Sequence, residues 1–420
     1  MKMSFLGIIC EYISGKLDKK RCLWEDTVEK RSLFDKLNAH ISKKQITLLI
    51  GARQVGKTTL LKQLQTEVQR LGKNTHYITL ENPQYLELLN EHPDKLFEII
   101  PPVNDEKRMV LFIDEIQYLN DPSNFLKYHY DEHQNLLKMV VTGSSAFYID
   151  DKFKDSLAGR KRIFTLPTLS LSEFLQFQNR EELIQFVNSG SLPLVHKGEM
   201  DRKLNEYLIY GGYPEVVLES NLNEKQATLK EISDSYVKKD ALEASLKFPD
   251  IYMKLLTIIA SQSGLFNSRK VGNDLKIDRM TVEAYLKVMR KSFHVSIVKP
   301  YSRNLSKELR KMPKLYLNDL GLRNYFMNNF SPIASREDRG DLLENFAFRL
   351  FLDHYPLDDI KFWRTQKGQE VDFIIAEKNA YEIKYDQNGY DDSKYQYFKD
   401  QYPEIPLTPI YKSNILELSI

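Results

Sequence analysis

The sequence predicts an α/β fold built on a parallel sheet, followed by a mostly helical region and a final mixed segment. Two observations indicate the parallel sheet. Strand-like and helix-like segments alternate over roughly residues 41–170, a pattern typical of strands connected by crossover helices. Residues 109–113 are apolar at every position, as expected for a central strand that is covered on both faces.

A glycine-rich loop lies between the first strand-like segment, 46–50, and an amphipathic helix-like segment, 60–71. Residues 51–58 follow the pattern G-x-x-x-x-G-K-T. The glycines allow the backbone to curl so that its N–H groups point at phosphate oxygens, and the following helix adds a partial positive charge. The pattern therefore predicts an ATP site, with Lys57 on the β- and γ-phosphates and Thr58 on Mg²⁺. The predicted nucleotide-binding residues of this loop are Gly51, Ala52, Arg53, Gln54, Val55, Gly56, Lys57, Thr58 and Thr59.

Two carboxylates follow the apolar strand 109–113. Asp114 and Glu115 fall at its carboxyl end, where open parallel sheets bind ligands. Beside the glycine-rich loop, Asp114 is predicted to hold Mg²⁺ from its second coordination sphere or through a bridging water, and Glu115 to orient or deprotonate the attacking water. Without that loop, a solvated acidic turn would be the better interpretation of the same two residues.

Two further segments of the core suggest contacts with the nucleotide. The strand 138–141 leads into small polar residues, of which Ser144 is predicted to sense the γ-phosphate or to position the water; a plain loop is the alternative. Arg160 and Arg162 precede the strand 163–166. Either arginine is a candidate for an arginine finger on the nucleotide of a neighbouring subunit, and a solvated basic turn explains them equally well.

The composition allows large hydrophobic cores and has balanced charge. Of the 420 residues, 42% are hydrophobic and 28% are charged, and 60 Lys and Arg against 58 Asp and Glu leave a net charge of +2. Any face that binds nucleic acid must therefore be local. Two cysteines, Cys10 and Cys22, exclude a zinc cluster or a disulfide framework and fit a reducing compartment. The apolar segment 3–10 is too short to span a membrane, so we expect a cytoplasmic protein with no membrane partner.

Changes in pattern divide the sequence into five predicted segments. A charged helical lead-in precedes the α/β core, and a helical lid, a winged helix and a C-terminal α/β segment follow. The predicted bounds are 1–40, 41–170, 171–245, 246–312 and 313–420.

The winged helix is predicted from three helix-like segments at 251–261, 268–275 and 279–291, with Ser268 as the cap of the second. An extended segment, a basic loop and a return strand would complete the wing. The extended segment is 295–298, the basic loop contains Lys299, Arg303, Lys307, Arg310 and Lys311, and the return strand is 315–317.

The third of these helices has two interpretations of equal weight. One places Arg279, Lys287 and Arg290 on DNA. The other makes the segment a structural spacer or a protein-docking module, and Glu283 on the exposed face of the same helix favours it slightly.

The C-terminal segment contains two strand-like runs, 371–376 and 380–385, joined by a polar turn. A three-residue loop at 377–379 would pair residue 372 with 384 and residue 374 with 382. Because side chains alternate along a strand, Asp372, Glu382 and Lys384 are expected to project from one face.

Glu344 is a candidate for a further carboxylate at this C-terminal site, since it lies in an apolar helical stretch upstream. Carboxylates suit one or two Mg²⁺ ions, and Lys384 is placed to orient or activate the water that attacks a phosphodiester. Glu344, Asp372 and Glu382 are therefore predicted metal ligands, and Asp372, Glu382 and Lys384 predicted catalytic residues. Such patterns also arise by chance in solvated sheets, and an ancestral nuclease site can become a binding module.

The whole layout resembles the predicted prokaryotic AAA-type ATPases that carry a C-terminal nuclease-like domain of the PD-(D/E)XK type. The resemblance covers roughly residues 40–390 and implies ATP binding as the safest common property. It also implies that Glu344, Asp372, Glu382 and Lys384 match the nuclease-like pattern. The lead-in before about residue 30 has no counterpart in this resemblance. The matching pieces are 51–59, 112–117, 142–145, 210–214, 314–321 and 370–373 with 382–384.

These motifs predict a Mg²⁺-dependent ATPase coupled to a nuclease-like domain that acts on or binds nucleic acid, DNA rather than RNA. Two other functions stay open. One is a switch or remodelling ATPase whose C-terminal domain only binds a partner, and the other is a DNA-binding regulator that uses the winged helix. A homo-oligomer is compatible with each of the three.

Overall fold

The computed structural model describes residues 29–102, 108–143, 157–189, 193–235, 246–262, 264–302 and 312–418. The chain forms two compact units. One contains the chain up to Gly51 together with Gly56–Leu166, and the other contains Ala52–Val55 together with Pro167–Ile420. Ser144 lies outside the described residues, as do positions 1–28 of the lead-in and positions 303–311 of the basic loop.

A five-stranded sheet forms the centre of the first unit. Its strands are β1 Ile46–Ile50, β2 Thr75–Thr79, β3 Met109–Asp114, β4 Leu137–Gly143 and β5 Lys161–Thr165. Its helices are α1 Phe34–His40, α2 Lys57–Arg70, α3 Pro83–Glu91, α4 Leu96–Ile99 and α5 Pro122–His133. All neighbouring strands are parallel, in the order β2-β3-β4-β1-β5, and β1, β3 and β4 are buried along their whole length. The predicted parallel α/β core is therefore confirmed.

Three neighbouring strands bring the predicted ATP-site residues to one edge of this sheet. β1 pairs with β4 so that Ile50 lies beside Gly143, and β4 pairs with β3 so that Val141 lies beside Ile113. The glycine-rich loop leaves the carboxyl end of β1, and Asp114 ends β3. The two halves of the predicted site therefore start from the carboxyl ends of the strands on either side of β4, at one edge of the sheet, where open α/β sheets bind ligands.

The second unit combines helices with a six-stranded mixed sheet. Its helices are α6 Leu171–Phe177, α7 Glu181–Ser189, α8 Leu194–Tyr210, α9 Pro214–Leu218, α10 Leu222–Ser235, α11 Pro249–Ala260, α12 Ser268–Leu275, α13 Arg279–Lys291, α14 Leu320–Phe326, α15 Arg339–His354 and α16 Gln396–Gln401. Its strands are β6 Val295–Pro300, β7 Lys314–Leu317, β8 Ile360–Arg364, β9 Glu370–Ile375, β10 Asn379–Lys384 and β11 Leu407–Tyr411. Across the described residues of both units, no helix has the length and apolar character needed to cross a membrane.

The order of the mixed sheet is β11-β10-β9-β8-β6-β7. β6 pairs with β7 in an antiparallel hairpin and with β8 in parallel, so this hairpin and the C-terminal strands belong to one sheet. The apolar core beneath the sheet joins helices and strands that are distant in sequence, including Leu208 of α8, Phe346 of α15 and Phe373 of β9.

Two of the segments that carry the family resemblance, 210–214 and 314–321, pack against each other in the second unit. Asp319 caps α14 by accepting the Leu322 N–H at 3.0 Å, and it also accepts the Gly212 N–H at 2.9 Å. A Cβ on Gly321 would lie 2.1 Å from a backbone oxygen of the first motif. These residues therefore serve the close packing of the two backbones.

The register of the β9–β10 hairpin differs from the predicted one. Phe373 pairs with Tyr381, whereas the predicted three-residue loop would pair Phe373 with Ile383. The chain reverses earlier because Ala376 and Glu377 both adopt positive φ angles, 51° and 58°, in a turn that matches the twist of paired strands. Since the shift amounts to two residues, every side chain keeps its predicted face of the sheet.

The three helices predicted for the winged helix form close to their predicted bounds, as α11, α12 and α13. The predicted cap of α12 is wrong. The Asn267 side chain, and not Ser268, accepts the N–H groups of Arg269 and Lys270, at 3.1 and 3.0 Å. A capping side chain lies one residue before the first helical residue, and Ser268 is already helical.

Candidate functional site

The loop between β1 and α2 has a curled backbone. Gln54 and Gly56 lie in the left-handed region, with φ of 61° and 92°. A Cβ on Gly56 would meet no atom within 4 Å, so the backbone conformation and not crowding selects glycine at this position. The loop leads directly into α2, whose first turn contains Thr58 and Thr59 and whose N-terminus attracts anions.

Lys57 is the first residue of α2, and its side chain folds back over the loop. The residue is only 5% exposed, and its Nζ donates to the Gly51 carbonyl oxygen at 3.1 Å. The ammonium therefore lies at the same end of the helix as the first-turn N–H groups, where an added phosphate would be attracted.

Asp114 accepts hydrogen bonds from three hydroxyl groups. Thr58 of α2 donates to Oδ2 at 2.7 Å, Tyr77 of β2 donates to the same oxygen at 2.9 Å, and Thr142 of β4 donates to Oδ1. Burial and the neighbouring Asp114 raise the pKa of Tyr77 far above its usual range, so this phenol stays a donor. Because all three donors are neutral, these contacts orient the carboxylate and leave its negative charge in place.

Glu115 is held by its backbone and by its side chain. Its φ is 60°, its N–H donates to Thr142 Oγ1 at 2.9 Å, and its carboxylate accepts from Gln117 Nε2. Thr142 therefore contacts both predicted acids. The sequence interpretation missed Tyr77 and Gln117, because a hydroxyl on a neighbouring strand or an amide two residues away has no motif of its own.

Arg160 and Arg162 lie at the end of the first unit's sheet that is opposite to the loop. The β1–β5 register places Lys161 beside Ile46, the first residue of β1, whereas the loop follows the last residue of that strand. Arg160 forms a two-point ion pair with Asp131, at 2.7 and 3.2 Å. A contact of either arginine with a neighbouring subunit's nucleotide stays a prediction.

The predicted residues of the C-terminal site lie together in the second unit. Lys384 Nζ donates to Glu382 Oε1 and lies 4.0 Å from Asp372 Oδ2. Glu344 comes from α15, and Lys314 joins it to Asp372. The sequence interpretation did not assign Lys314 to the site.

Lys314 begins β7 and is the centre of this cluster. Its side chain is 1% exposed, and its Nζ lies 2.9 Å from Glu344 Oε1, 2.5 Å from Glu370 Oε1 and 3.3 Å from Asp372 Oδ1. The sequence signals were its place at the start of the matching piece 314–321 and at the head of an apolar strand, since a buried charge requires partners. Its partners follow 30 or more residues later, so the sequence alone did not identify them.

The electrostatics of this cluster reflect its burial. Burial and Asp372 raise the pKa of Glu344 to about 8 against the opposing effect of Lys314. Burial and Asp372 also raise the pKa of Glu382 to about 7 against the opposing effect of Lys384. Burial acts to lower the pKa of Lys314, but Glu344 and its other acidic neighbours raise it well above the usual range, so this lysine stays charged.

The cations predicted to contact DNA lie on one helix of the second unit. Arg279, Lys287 and Arg290 are exposed on α13. Glu283 is exposed on the same helix and lies 3.6 Å from Arg279. Further exposed cations on α12 and in the following turn are Arg269, Lys270 and Lys276.

The parallel sheet and the residues at its edge define the class of the first unit. Residues 43–175 match a family model described as an AAA domain. The first unit is therefore an α/β core that resembles the AAA-type P-loop ATPases. Residues 201–332 and 339–414 match two domains of unknown function, DUF8612 and DUF4143.

Similar proteins occur in archaea and bacteria. The chain is 26% identical over 398 residues to uncharacterized protein MJ1544 of Methanocaldococcus jannaschii, a match that covers 87% of this chain and 84% of the relative. It is 21% identical over 354 residues to uncharacterized protein Rv2008c of Mycobacterium tuberculosis, covering 83% of this chain and 71% of the relative.

Two solved structures are similar over most of their own length. The Aeropyrum pernix ORC1 protein in complex with DNA is 13% identical, with a TM-score of 0.32 over 72% of this chain and 93% of that one. The Thermotoga maritima RuvB Holliday junction branch migration motor is 16% identical, with a TM-score of 0.33 over 68% of this chain and 95% of that one.

Proposed function

We propose that the protein binds ATP with Mg²⁺ and hydrolyses it to ADP and phosphate. The observation that carries this proposal is the 2.7 Å hydrogen bond from Thr58 to Asp114, which joins the start of α2 to the end of β3. It places a hydroxyl and a carboxylate beside a helix N-terminus that carries Lys57. The match of residues 43–175 to the AAA domain model supports the same conclusion.

The residues present fit Mg²⁺. The ion prefers oxygen ligands and is usually held by one or two protein groups together with substrate phosphates. Thr58 and Asp114 supply such oxygens, and the hydroxyl donors of Asp114 leave its charge to attract a cation. When bound, Mg²⁺ would neutralise charge that develops on the phosphates.

The protein's own groups then have separate roles. Lys57 exchanges its contact with the Gly51 carbonyl oxygen for the β- and γ-phosphates, and the N–H groups of the loop and of the first turn of α2 surround them. Glu115 accepts a proton from the attacking water or orients that water. Thr142 and Gln117 fix the backbone and the carboxylate of Glu115 for this role.

The test is phosphate release from ATP by the full-length protein, with Mg²⁺ or with EDTA. We expect Mg²⁺-dependent turnover that Lys57→Ala lowers at least about 100-fold, because nothing nearby replaces this charge on the phosphates. Lys73→Ala, which removes an exposed lysine just after α2, is the matched control and is expected to keep wild-type turnover. Unchanged ATP affinity and turnover in Lys57→Ala would overturn the proposal.

We further propose DNA binding by α13 as a second function. The supporting observation is the exposed group of Arg279, Lys287 and Arg290 on one helix, beside the exposed cations of α12. Such a local basic face suits the phosphate backbone even in a chain of balanced charge. Glu283 favours the alternative, a surface that docks another protein.

The test of this second function is the salt dependence of binding to duplex DNA. Arg279→Ala/Lys287→Ala is expected to weaken binding and to reduce the slope of log affinity against log salt by about 2, since two phosphate contacts are lost. Lys230→Ala/Lys254→Ala removes two exposed cations elsewhere in the second unit and is expected to bind as wild type does. Equal binding by both double variants would exclude α13 as the contact surface.

A further inference from the structure

The carboxylates of the C-terminal site already surround a cation. Lys314 has three ammonium hydrogens to donate, and three acids lie within ion-pair distance of its Nζ: Glu344 at 2.9 Å, Glu370 at 2.5 Å and Asp372 at 3.3 Å. With a side chain that is 1% exposed, this lysine depends on those three partners. The ammonium therefore takes the central position among oxygens from α15 and β9.

Each of these acids also accepts from a second donor besides Lys314. Tyr316 donates to Glu344 Oε1 at 2.5 Å, and Arg364 donates to Glu370 Oε2 at 2.6 Å. The Ile383 N–H donates to Asp372 Oδ2 at 3.0 Å. Every acid that contacts Lys314 is thus bound from at least two sides.

Glu382 is neutralised in the same manner from the other strand of the hairpin. Lys384 Nζ donates to Glu382 Oε1, and it also lies 4.0 Å from Asp372 Oδ2. The lysine that the nuclease-like pattern assigns to water activation is therefore engaged with the acids that the pattern assigns to metal binding.

This arrangement does not fit a divalent ion. Mg²⁺ or Mn²⁺ at this site would need oxygens of Glu344 and Asp372 at coordination distance, and Glu344 Oε1 and Asp372 Oδ1 accept from the Lys314 ammonium instead. An ion and the ammonium would occupy one position, and their like charges would repel strongly at such low exposure. Among the residues that the structure describes, no group of three or more His, Cys, Asp or Glu side chains is arranged so that it could hold a metal ion.

We propose that the Lys314 ammonium is a built-in substitute for the divalent cation, so that the C-terminal site holds no metal and cleaves no phosphodiester. The cluster instead ties β7 to β9 and α15 through buried ion pairs. This inference is independent of the ATPase proposal, because it concerns residues of the second unit alone.

The first test measures Mn²⁺ binding to the nucleotide-free full-length protein. Binding is detected as a loss of the electron paramagnetic resonance signal of free Mn²⁺. Wild type and Asp372→Asn are expected to bind Mn²⁺ equally, since Asp372 holds no metal in either protein. Binding of one Mn²⁺ per chain by wild type that Asp372→Asn loses would overturn the inference.

The second test removes the ammonium. In Lys314→Ala the carboxylates keep their positions and lose their central cation, so we expect this variant to gain one Mn²⁺ per chain. Lys314→Ala/Asp372→Asn is expected to lose that gained ion. A folded Lys314→Ala protein, with wild-type circular dichroism, that gains no ion would also overturn the inference. If Lys314→Ala does not fold, the comparison of wild type with Asp372→Asn decides alone.

The third test is cleavage of labelled single- and double-stranded DNA and RNA by the wild type, with Mg²⁺ or Mn²⁺ and with or without ATP, beside Asp372→Ala. We expect no cleavage that depends on Asp372. Cleavage by wild type that Asp372→Ala abolishes would establish a nuclease and overturn the inference, whether or not the protein hydrolyses ATP.

Discussion

The two acid clusters of this protein are stabilised by different kinds of donor. In the first unit, Asp114 accepts from the hydroxyls of Thr58, Tyr77 and Thr142. In the second unit, three carboxylates surround the buried ammonium of Lys314, and Lys384 binds a fourth. Neutral donors orient a carboxylate without bringing a positive charge to it, whereas a buried lysine orients its carboxylates and compensates part of their charge.

This difference separates two sites that look alike in sequence. Both contain acids at the ends or faces of strands beside a lysine, and both were predicted to bind Mg²⁺. A cation from solution is attracted only where the chain has left negative charge uncompensated. The surroundings of each acid, and not the acids themselves, therefore distinguish a site for an added cation from an ion-paired core.

The largest expected effect concerns the first cluster. Glu115→Gln keeps the shape and hydrogen-bonding capacity of the side chain but removes the base, so we expect a loss of ATP turnover of about 10²- to 10⁴-fold with nucleotide binding kept. Phosphate release and binding of a fluorescent ATP analogue measure the two quantities. Retained turnover would remove Glu115 from this role.

The second effect concerns the stability of the other cluster. Lys314→Met keeps most of the apolar stem and removes the ammonium, which leaves buried acids without their central partner. We expect the free energy of unfolding, measured with urea, to fall by about 3–5 kcal/mol. Lys254→Met, at an exposed position of α11, is the control and is expected to change it by less than about 0.5 kcal/mol. A fall of similar size in both variants would contradict the buried ion cluster.

The third effect tests whether Asp114 retains its charge for a metal. Asp114→Asn keeps an oxygen acceptor for the hydroxyls but removes the charge, so the Mg²⁺ concentration for half-maximal turnover should rise about 10- to 100-fold. The measurement is a Mg²⁺ titration of phosphate release at fixed ATP. An unchanged Mg²⁺ requirement would mean that Asp114 serves only as a structural acceptor.

The smallest effect concerns another acid of the second unit that is paired with cations, Asp338. Burial acts to raise the pKa of Asp338, but hydrogen bonds from Arg336 and Arg323 outweigh it and lower the pKa to about 2. A carboxyl whose pKa is lower in the folded state adds stability above its ordinary value of 3.8, and this stability is lost as the pH falls toward 2.

Asp338→Asn should therefore be less stable than wild type at pH 6, with a difference that shrinks between about pH 4 and pH 2. Urea unfolding at a series of pH values measures it. Asp358→Asn, at a position 89% exposed, is the control and should follow the wild-type pH dependence. A difference between Asp338→Asn and wild type that stays constant down to pH 2 would rule out the arginine pairing as its source.

Much of the parallel core and of the candidate ATP site could be predicted because their signals are local. The loop at 51–58 and the acids at 114 and 115 each lie within a few consecutive residues, and the apolar strands before them have no polar face. The predicted parallel sheet then brings the two motifs to one edge. The contacts of Tyr77, Gln117 and Thr142 with the two acids were missed, since they depend on neighbours that the fold provides.

The hairpin of the second unit was predicted in part, for a physical reason. Because side chains alternate along a strand, Asp372, Glu382 and Lys384 were predicted to lie on one face of the sheet. The predicted register was wrong by two residues, and a shift of two residues leaves each side chain on the same face. The register itself depended on the turn, where Ala376 and Glu377 adopt positive φ angles that residues of these types rarely take. The sequence pattern did not indicate that conformation.

By itself, the sequence determined the parallel core, the glycine-rich loop and the acid pair beside it, because each depends on chain neighbours and on strand periodicity. The tertiary structure alone decided the character of the C-terminal acids. Lys314 is 30 residues from Glu344 and 58 from Asp372 in the chain, yet its ammonium contacts both. Burial at that point forces the charges to pair with each other, and no local pattern of residues records which charges will be buried together.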